Sequence, residues 1–186
     1  MKHLLVGHTR CFTIECLGGY ILIDSSWPDD LSKFFSALRE ASLSIDDIRY
    51  LMLTHFHPDH MGLAGELQHL GIELVVFDVQ MDSIHVSDAM LDRQGTWTAI
   101  DEDCITTVPI ASSRAFLSSI GVDGEVLSTP SHSSDSVSFS LDSGDVIVGD
   151  LIPFELCSGD SAAEDDWEML LEHGADRLWY AHWPGG

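Results

Sequence analysis

The chain has 186 residues, 45% of them apolar, which suits one compact domain with a real core. Its 31 acidic against 8 basic residues give a formal net charge of −23. A field of that sign repels phosphate backbones and anionic lipid, so no nucleic acid and no membrane is expected as a partner. The opening M-K-H-L-L-V-G-H-T-R lacks the apolar run and cleavage site of a signal peptide. No stretch approaches the roughly eighteen apolar residues that span a bilayer. Cys11, Cys16, Cys104 and Cys157 lie scattered without C-x-x-C spacing. Reduced thiols in a cytoplasmic protein, with one domain over residues 1–186, are the expectation.

In chain order, F-T-I-E-C and Y-I-L-I-D predict two strands around a Gly18-Gly19 turn. Leu31, Phe34, Phe35, Leu38 and Ala41 follow helical spacing after Pro28-Asp29-Asp30. Residues 50–53 read as a short buried strand running into His55. Residues 61–70 predict a helix stopped by Gly71, and 72–77 another buried strand. The stretch 79–104 is irregular, with Met81, Met90 and Trp97 best read as packing residues. Strand 105–108, helix 111–120 and strand 125–129 follow. A hairpin 137–141/146–148 then turns on Asp142-Ser143-Gly144. Ser161-Ala162-Ala163-Glu164 reads as a capping box opening a helix to His173, and 177–180 is the last strand. This order predicts an α/β protein of mixed sheets covered by helices.

Residues 54–60 read T-H-F-H-P-D-H. A core has no use for so much imidazole and carboxylate, whereas a metal does. Pro58 disfavours helix at His57, so His55, His57, Asp59 and His60 are expected to converge from an irregular loop. One loop leaves such a site open on other sides. Three further candidates stand at strand ends: His132 in S-T-P-S-H-S, Asp150 after V-I-V-G, and His182 after R-L-W-Y-A. Gly149 permits close backbone approach beside Asp150. His3, His8, His69, His85 and His173 read as surface or structural residues.

H-x-H-x-D-H, then T-P-x-H, then G-D, then Y-x-H-x-P-G resembles the metallo-β-lactamase superfamily, over the span from the 21–24 strand to His182. The resemblance implies an αββα sandwich of two mixed sheets with metals in a cleft at one edge. It assigns His55, His57 and His132 to one ion, Asp59, His60 and His182 to a second, and Asp150 as the bridge. Asp24 is implied to support a ligand rather than be one. The chemistry agrees: seven ligand groups exceed what one tetrahedral ion takes, while two ions sharing a carboxylate use them all. Departures from the family pattern are Ser25-Ser26-Trp27 after Asp24, Ser131 before His132 and Trp183 after His182. Trp27 and Trp183 are expected to line the cleft.

These readings predict a dinuclear zinc hydrolase, with iron or manganese as other metals the ligands accept. Its small-molecule substrate is an ester, lactone or thioester, attacked by a metal-bridging hydroxide, with Asp59 moving the proton. A glyoxalase II-like thioester hydrolase is an alternative. That family carries an added helical region after its last ligand, where only four residues follow His182 here. Another is a mononuclear iron oxygenase similar to persulfide dioxygenases, which use one His-His-Asp set.

Overall fold

The computed structural model describes residues 1–95 and 97–182. Strands β1 (Lys2–Val6), β2 (Thr9–Cys16) and β3 (Gly19–Ile23) pair antiparallel. β3 pairs parallel with β4 (Ile48–Met52), β4 with β5 (Glu73–Phe77), and β5 with β6 (Ile105–Val108). The result is a six-stranded mixed sheet in chain order. Its parallel connections carry helices: α1 (Leu31–Glu40), then α2 (Pro58–Met61) and α3 (Ala64–His69), then α4 (Asp88–Gln94). After α5 (Ser113–Ser119), the antiparallel strands β7 (Gly124–Ser128), β8 (Val137–Leu141) and β9 (Asp145–Gly149) begin the second sheet. The chain returns through α6 (Ser161–Glu172) to lay β10 (Arg177–Tyr180) parallel to β9.

Alternation along the strands builds the layers. Leu22, Leu51, Leu74 and Val76 pack with Phe34, Leu38, Leu67 and Leu91 on one side of the large sheet. Their neighbours Ile21, Ile23, Met52, Val75 and Phe77 meet Val137, Phe139 and Ile147 between the sheets. Val146 and Val148 face Ala163, Trp167 and Leu170 of α6. Burial on both faces explains why the central strands read as continuous apolar runs. The layers are α, β, β, α, as expected. Among the described residues no helix is long and apolar enough to cross a membrane. The four cysteines are unpaired, Cys11 facing the helix-side core and Cys16 the inter-sheet core.

Several local expectations need correction. β1 escapes the sequence reading, because only its alternating Leu4 and Val6 are buried in K-H-L-L-V. The helix expected over 61–70 starts earlier and is broken. Pro58 occupies the first turn of α2, where its fixed φ fits and its missing N–H is no loss. The break falls at Gly62-Leu63, where a Cβ on Gly62 would strike Pro28. Asp59 and His60 therefore sit on a helical turn, not an irregular loop. The cap of α6 is one residue upstream of the expected Ser161: Asp160 accepts from the Ala163 N–H at 3.3 Å, and Glu164 accepts from the Gly159 N–H at 2.9 Å. Nor is 79–104 shapeless. A 3-10 turn over Asp78–Ser83, α4 and a second 3-10 turn over Glu102–Cys104 order it, and Met81, Met90 and Trp97 pack against the helix-side core.

Candidate metal centre

β4 ends at Met52, and the chain turns at Thr54 into the histidine-rich segment. His57 stays extended (φ −73°, ψ 151°), and the helical turn of α2 begins after it. The change from extended to helical backbone sends His55 and His57 one way and Asp59 and His60 another. Two clusters result. His55, His57 and His132 bring ring nitrogens within 4.8 Å of one another, and Asp59, His60, Asp150 and His182 do the same with nitrogen and oxygen atoms.

In the first cluster His57 Nδ1 lies 2.9 Å from His55 Nε2 and 3.2 Å from His132 Nε2. In the second, His182 Nε2 lies 3.0 Å from Asp59 Oδ2. Asp150 stands between them. Its Oδ1 is 3.4 Å from His60 Nε2 and 3.5 Å from His182 Nε2, while Oδ2 is 3.8 Å from His132 Nε2. His60 Nε2 and Asp150 Oδ1 are buried with no hydrogen-bond partner. Buried polar atoms are rarely left so, and a cation held by both is the simplest way to satisfy them. An all-imidazole set next to a mixed imidazole–carboxylate set suits zinc and iron alike.

The outer ring nitrogens fix which atoms face inward. Asp24 can only accept, so His60 Nδ1–H donates to its Oδ2 at 2.9 Å, leaving Nε2 free as a ligand. His182 Nδ1–H donates to the His8 carbonyl at 3.0 Å with the same effect. Thr54 Oγ1 lies 2.9 Å from Asp24 Oδ2 and 3.1 Å from His55 Nδ1, so it donates to the carboxylate and accepts from the ring. Asp24 itself is fully buried at φ 64°, a left-handed conformation that aspartate tolerates better than most residues. Gly149, at φ 57°, is needed for a close approach, since a Cβ there would sit 2.7 Å from Thr54 Oγ1.

The surrounding charges treat the clusters differently. Burial, then the neighbouring His60, His57 and His132, pushes His55 far below its ordinary range. Burial likewise lowers His132, against the pull of Asp150. Burial also opposes charge on His60, but Asp24 and Asp150 outweigh it and raise the ring to about 10. The hydrogen bond to Asp59 raises His182. Burial pushes Asp59 and Asp150 up, yet histidine neighbours bring both below the ordinary carboxylate range. Protein groups alone thus favour neutral, ligating rings at His55 and His132. The second holds protons that an incoming cation must displace.

Several supporting residues carry no sequence motif. Gln80, fully buried, donates from Nε2 to the carbonyls of Leu53 at 3.0 Å and Asp135 at 3.1 Å. Asp135 accepts from the Phe56 N–H at 2.7 Å, and Ser87 donates to the Phe56 carbonyl at 2.8 Å. Asp166 of α6 accepts from the Ser131 N–H at 2.9 Å, next to His132. The irregular stretch 79–104 therefore braces the ligand segment through Gln80 and Ser87. His85 is exposed, held between Asp88 at 2.7 Å and Glu102 at 2.8 Å, and belongs to neither cluster. Trp27 is half-buried beside Pro28, whose ring abuts Gly62 just past α2. Trp183 lies outside the described residues.

Comparison with known proteins agrees with this fold. A family model described as the metallo-beta-lactamase superfamily matches residues 6–76. The Drosophila melanogaster protein named beta-lactamase-like protein 2 homolog is 29% identical over 147 residues, covering 79% of this chain and 46% of its own. The chain thus spans about half the length of that relative. A metallo-beta-lactamase family protein of Thermus thermophilus superposes with a TM-score of 0.69 at 17% identity, over 95% of this chain and 69% of its own. The metallo-beta-lactamase MIM-1 from Novosphingobium pentaromativorans gives 0.67 at 18% identity, over 97% and 76%. A protein solved in a di-iron-bound form, TTHA1623, gives 0.68 at 22% identity, over 98% and 92%.

Proposed function

We propose that this chain, which belongs to the metallo-beta-lactamase superfamily, is a dinuclear zinc-dependent hydrolase of a small, neutral ester, lactone or thioester. The observation that carries the reading is Asp150, whose two oxygens face different ligand clusters and whose buried Oδ1 has no hydrogen-bond partner. A pair of divalent ions held there supplies an activated water at neutral pH and polarises the scissile carbonyl.

The chain's own residues do the rest. His55, His57 and His132 would hold the first ion and Asp59, His60 and His182 the second, with Asp150 standing between the two sets. Asp24, through Thr54 and His60, keeps ring protons on the outer nitrogens. Asp59, with its Oδ2 at the His182 ring, is placed to take a proton from the attacking water and return it to the leaving group. A net charge of −23 discourages anionic substrates from approaching, so neutral acyl compounds are favoured over phosphodiesters.

Metal content by plasma emission and a hydrolysis panel test this together. The panel is an aryl ester, an acyl lactone, an acyl-glutathione and bis-nitrophenyl phosphate. About two zinc ions per chain, with faster turnover of the first two compounds, is the expected result. One iron per chain with oxygen consumption on a persulfide would overturn the hydrolase reading. Preference for acyl-glutathione or the phosphodiester would overturn the substrate class alone.

A further inference from the structure

The turn between β1 and β2 supplies no metal ligand, yet it touches both ends of the second cluster. The His8 carbonyl accepts from His182 Nδ1–H at 3.0 Å. The next residue, Thr9, is fully buried and donates its hydroxyl to the Asp59 carbonyl at 2.9 Å. Arg10 then takes hold of the chain just before His182. Its N–H donates to the Ala181 carbonyl at 2.9 Å, and its guanidinium donates to the Tyr180 carbonyl at 3.0 Å. The contacts named for the first cluster are different ones: Gln80, Ser87, Asp135 and Asp166 brace the segments around His55, His57 and His132.

We propose that the Gly7-His8-Thr9-Arg10 turn is the positioning element of the second half-site, holding Asp59 and His182 at ligating distance from outside the ligand set. The inference rests on the dinuclear reading above. Asp59 rides on a four-residue helix, and His182 follows the last strand, so neither is fixed by a long element of its own. The turn ties both to β2, inside the six-stranded sheet. Its shape depends on Gly7, at φ 62°, where a Cβ would collide with the Asp30 carboxylate. The His8 contact is made by backbone, so the identity of that side chain is free while the path of the chain is not.

The hydroxyl of Thr9 is the part that mutation can remove cleanly. Thr9→Val keeps the β-branched shape and deletes the donor, and Thr9→Ser restores it. Zinc stoichiometry is read at a series of buffered free-zinc concentrations, and the visible spectrum of the cobalt-loaded protein distinguishes a three-imidazole site from the mixed one. In Thr9→Val the second ion is expected to bind about tenfold more weakly, in the range found when groups that orient ligands are lost. The first ion should change less than about twofold, and Thr9→Ser should return the second to its parent affinity. Gly7→Ala, which disturbs the same turn by another route, should show the same selective loss. Two ions held with parent affinity in both disrupting variants would overturn the role of the turn while leaving the dinuclear reading intact. Equal weakening of both ions would overturn it too. One ion in the parent protein would overturn the dinuclear reading and this proposal with it.

Discussion

Replacing Asp24 by asparagine tests how the second half-site is tuned. The Asp24 carboxylate is fully buried and accepts from the Thr54 N–H at 2.8 Å, the Thr54 hydroxyl at 2.9 Å and His60 Nδ1–H at 2.9 Å. Asparagine can keep its oxygen toward the Thr54 N–H, but its amide then faces the threonine hydroxyl and His60. An N–H facing Nδ1 turns that atom into an acceptor and moves the ring proton to Nε2, the atom that must ligate. The charge-assisted bond lost is worth about 1.5–3 kcal/mol. At about 1.4 kcal/mol per decade this is roughly a 10- to 150-fold weakening, matching the roughly 10- to 100-fold usual for residues that orient metal-bound histidines. The first ion should suffer less, because His55 meets Asp24 only through Thr54 Oγ1. Competition titration against a chromophoric chelator resolves the two affinities. Equal weakening of both ions, or none, would refute this chain of hydrogen bonds.

Gln80→Leu should destabilise the protein by about 2–4 kcal/mol, because the Leu53 and Asp135 carbonyls and the Phe77 N–H lose a buried partner at once. Urea unfolding measures it, and a loss under about 1 kcal/mol would show that water or a neighbour replaces the amide. His85 provides a pH-dependent test. Its hydrogen bonds to Glu102 and Asp88 raise its pKa above 6.5, so its stabilisation is fully present below that value and fades as pH rises through the raised one. His85→Gln should therefore lower the unfolding free energy at about pH 5.5 but not at about pH 9, by less than about 1 kcal/mol since the ion pairs are exposed. A pH-independent loss would contradict the ion pairs.

Much of this architecture is legible in the sequence. Central strands announce themselves as apolar runs because both faces are buried, and T-H-F-H-P-D-H stands out as a candidate ligand segment because it is too polar and too dense for a core. What escapes is what acts at a distance or through backbone. Gln80 reaches Asp135 across 55 residues, and nothing around it distinguishes it from a surface glutamine. The His8 carbonyl has no residue type to betray it. Asp160 caps α6 in place of Ser161, because both are good capping types and aspartate stands one position nearer the coil. Asp24 is visible only through family resemblance, and its geometry explains its need for charge.

The bonds between Arg10 and residues 180–181 span nearly the whole chain, 170 residues for the guanidinium contact. Closing so long a loop costs about 2.5 kcal/mol more entropy than closing one of about ten residues, since the penalty grows as the logarithm of length. Such contacts tend to form late and slow the folding of the protein that depends on them. On that reasoning Asp59 and His182 should meet late in folding, whereas His55 and His57 are two positions apart in the chain. His132 follows β7 of the second sheet, so the first set too is complete only when the sheets meet, and His182 is the last of the seven groups in chain order. On the dinuclear reading, full occupancy of both half-sites should therefore report a finished fold.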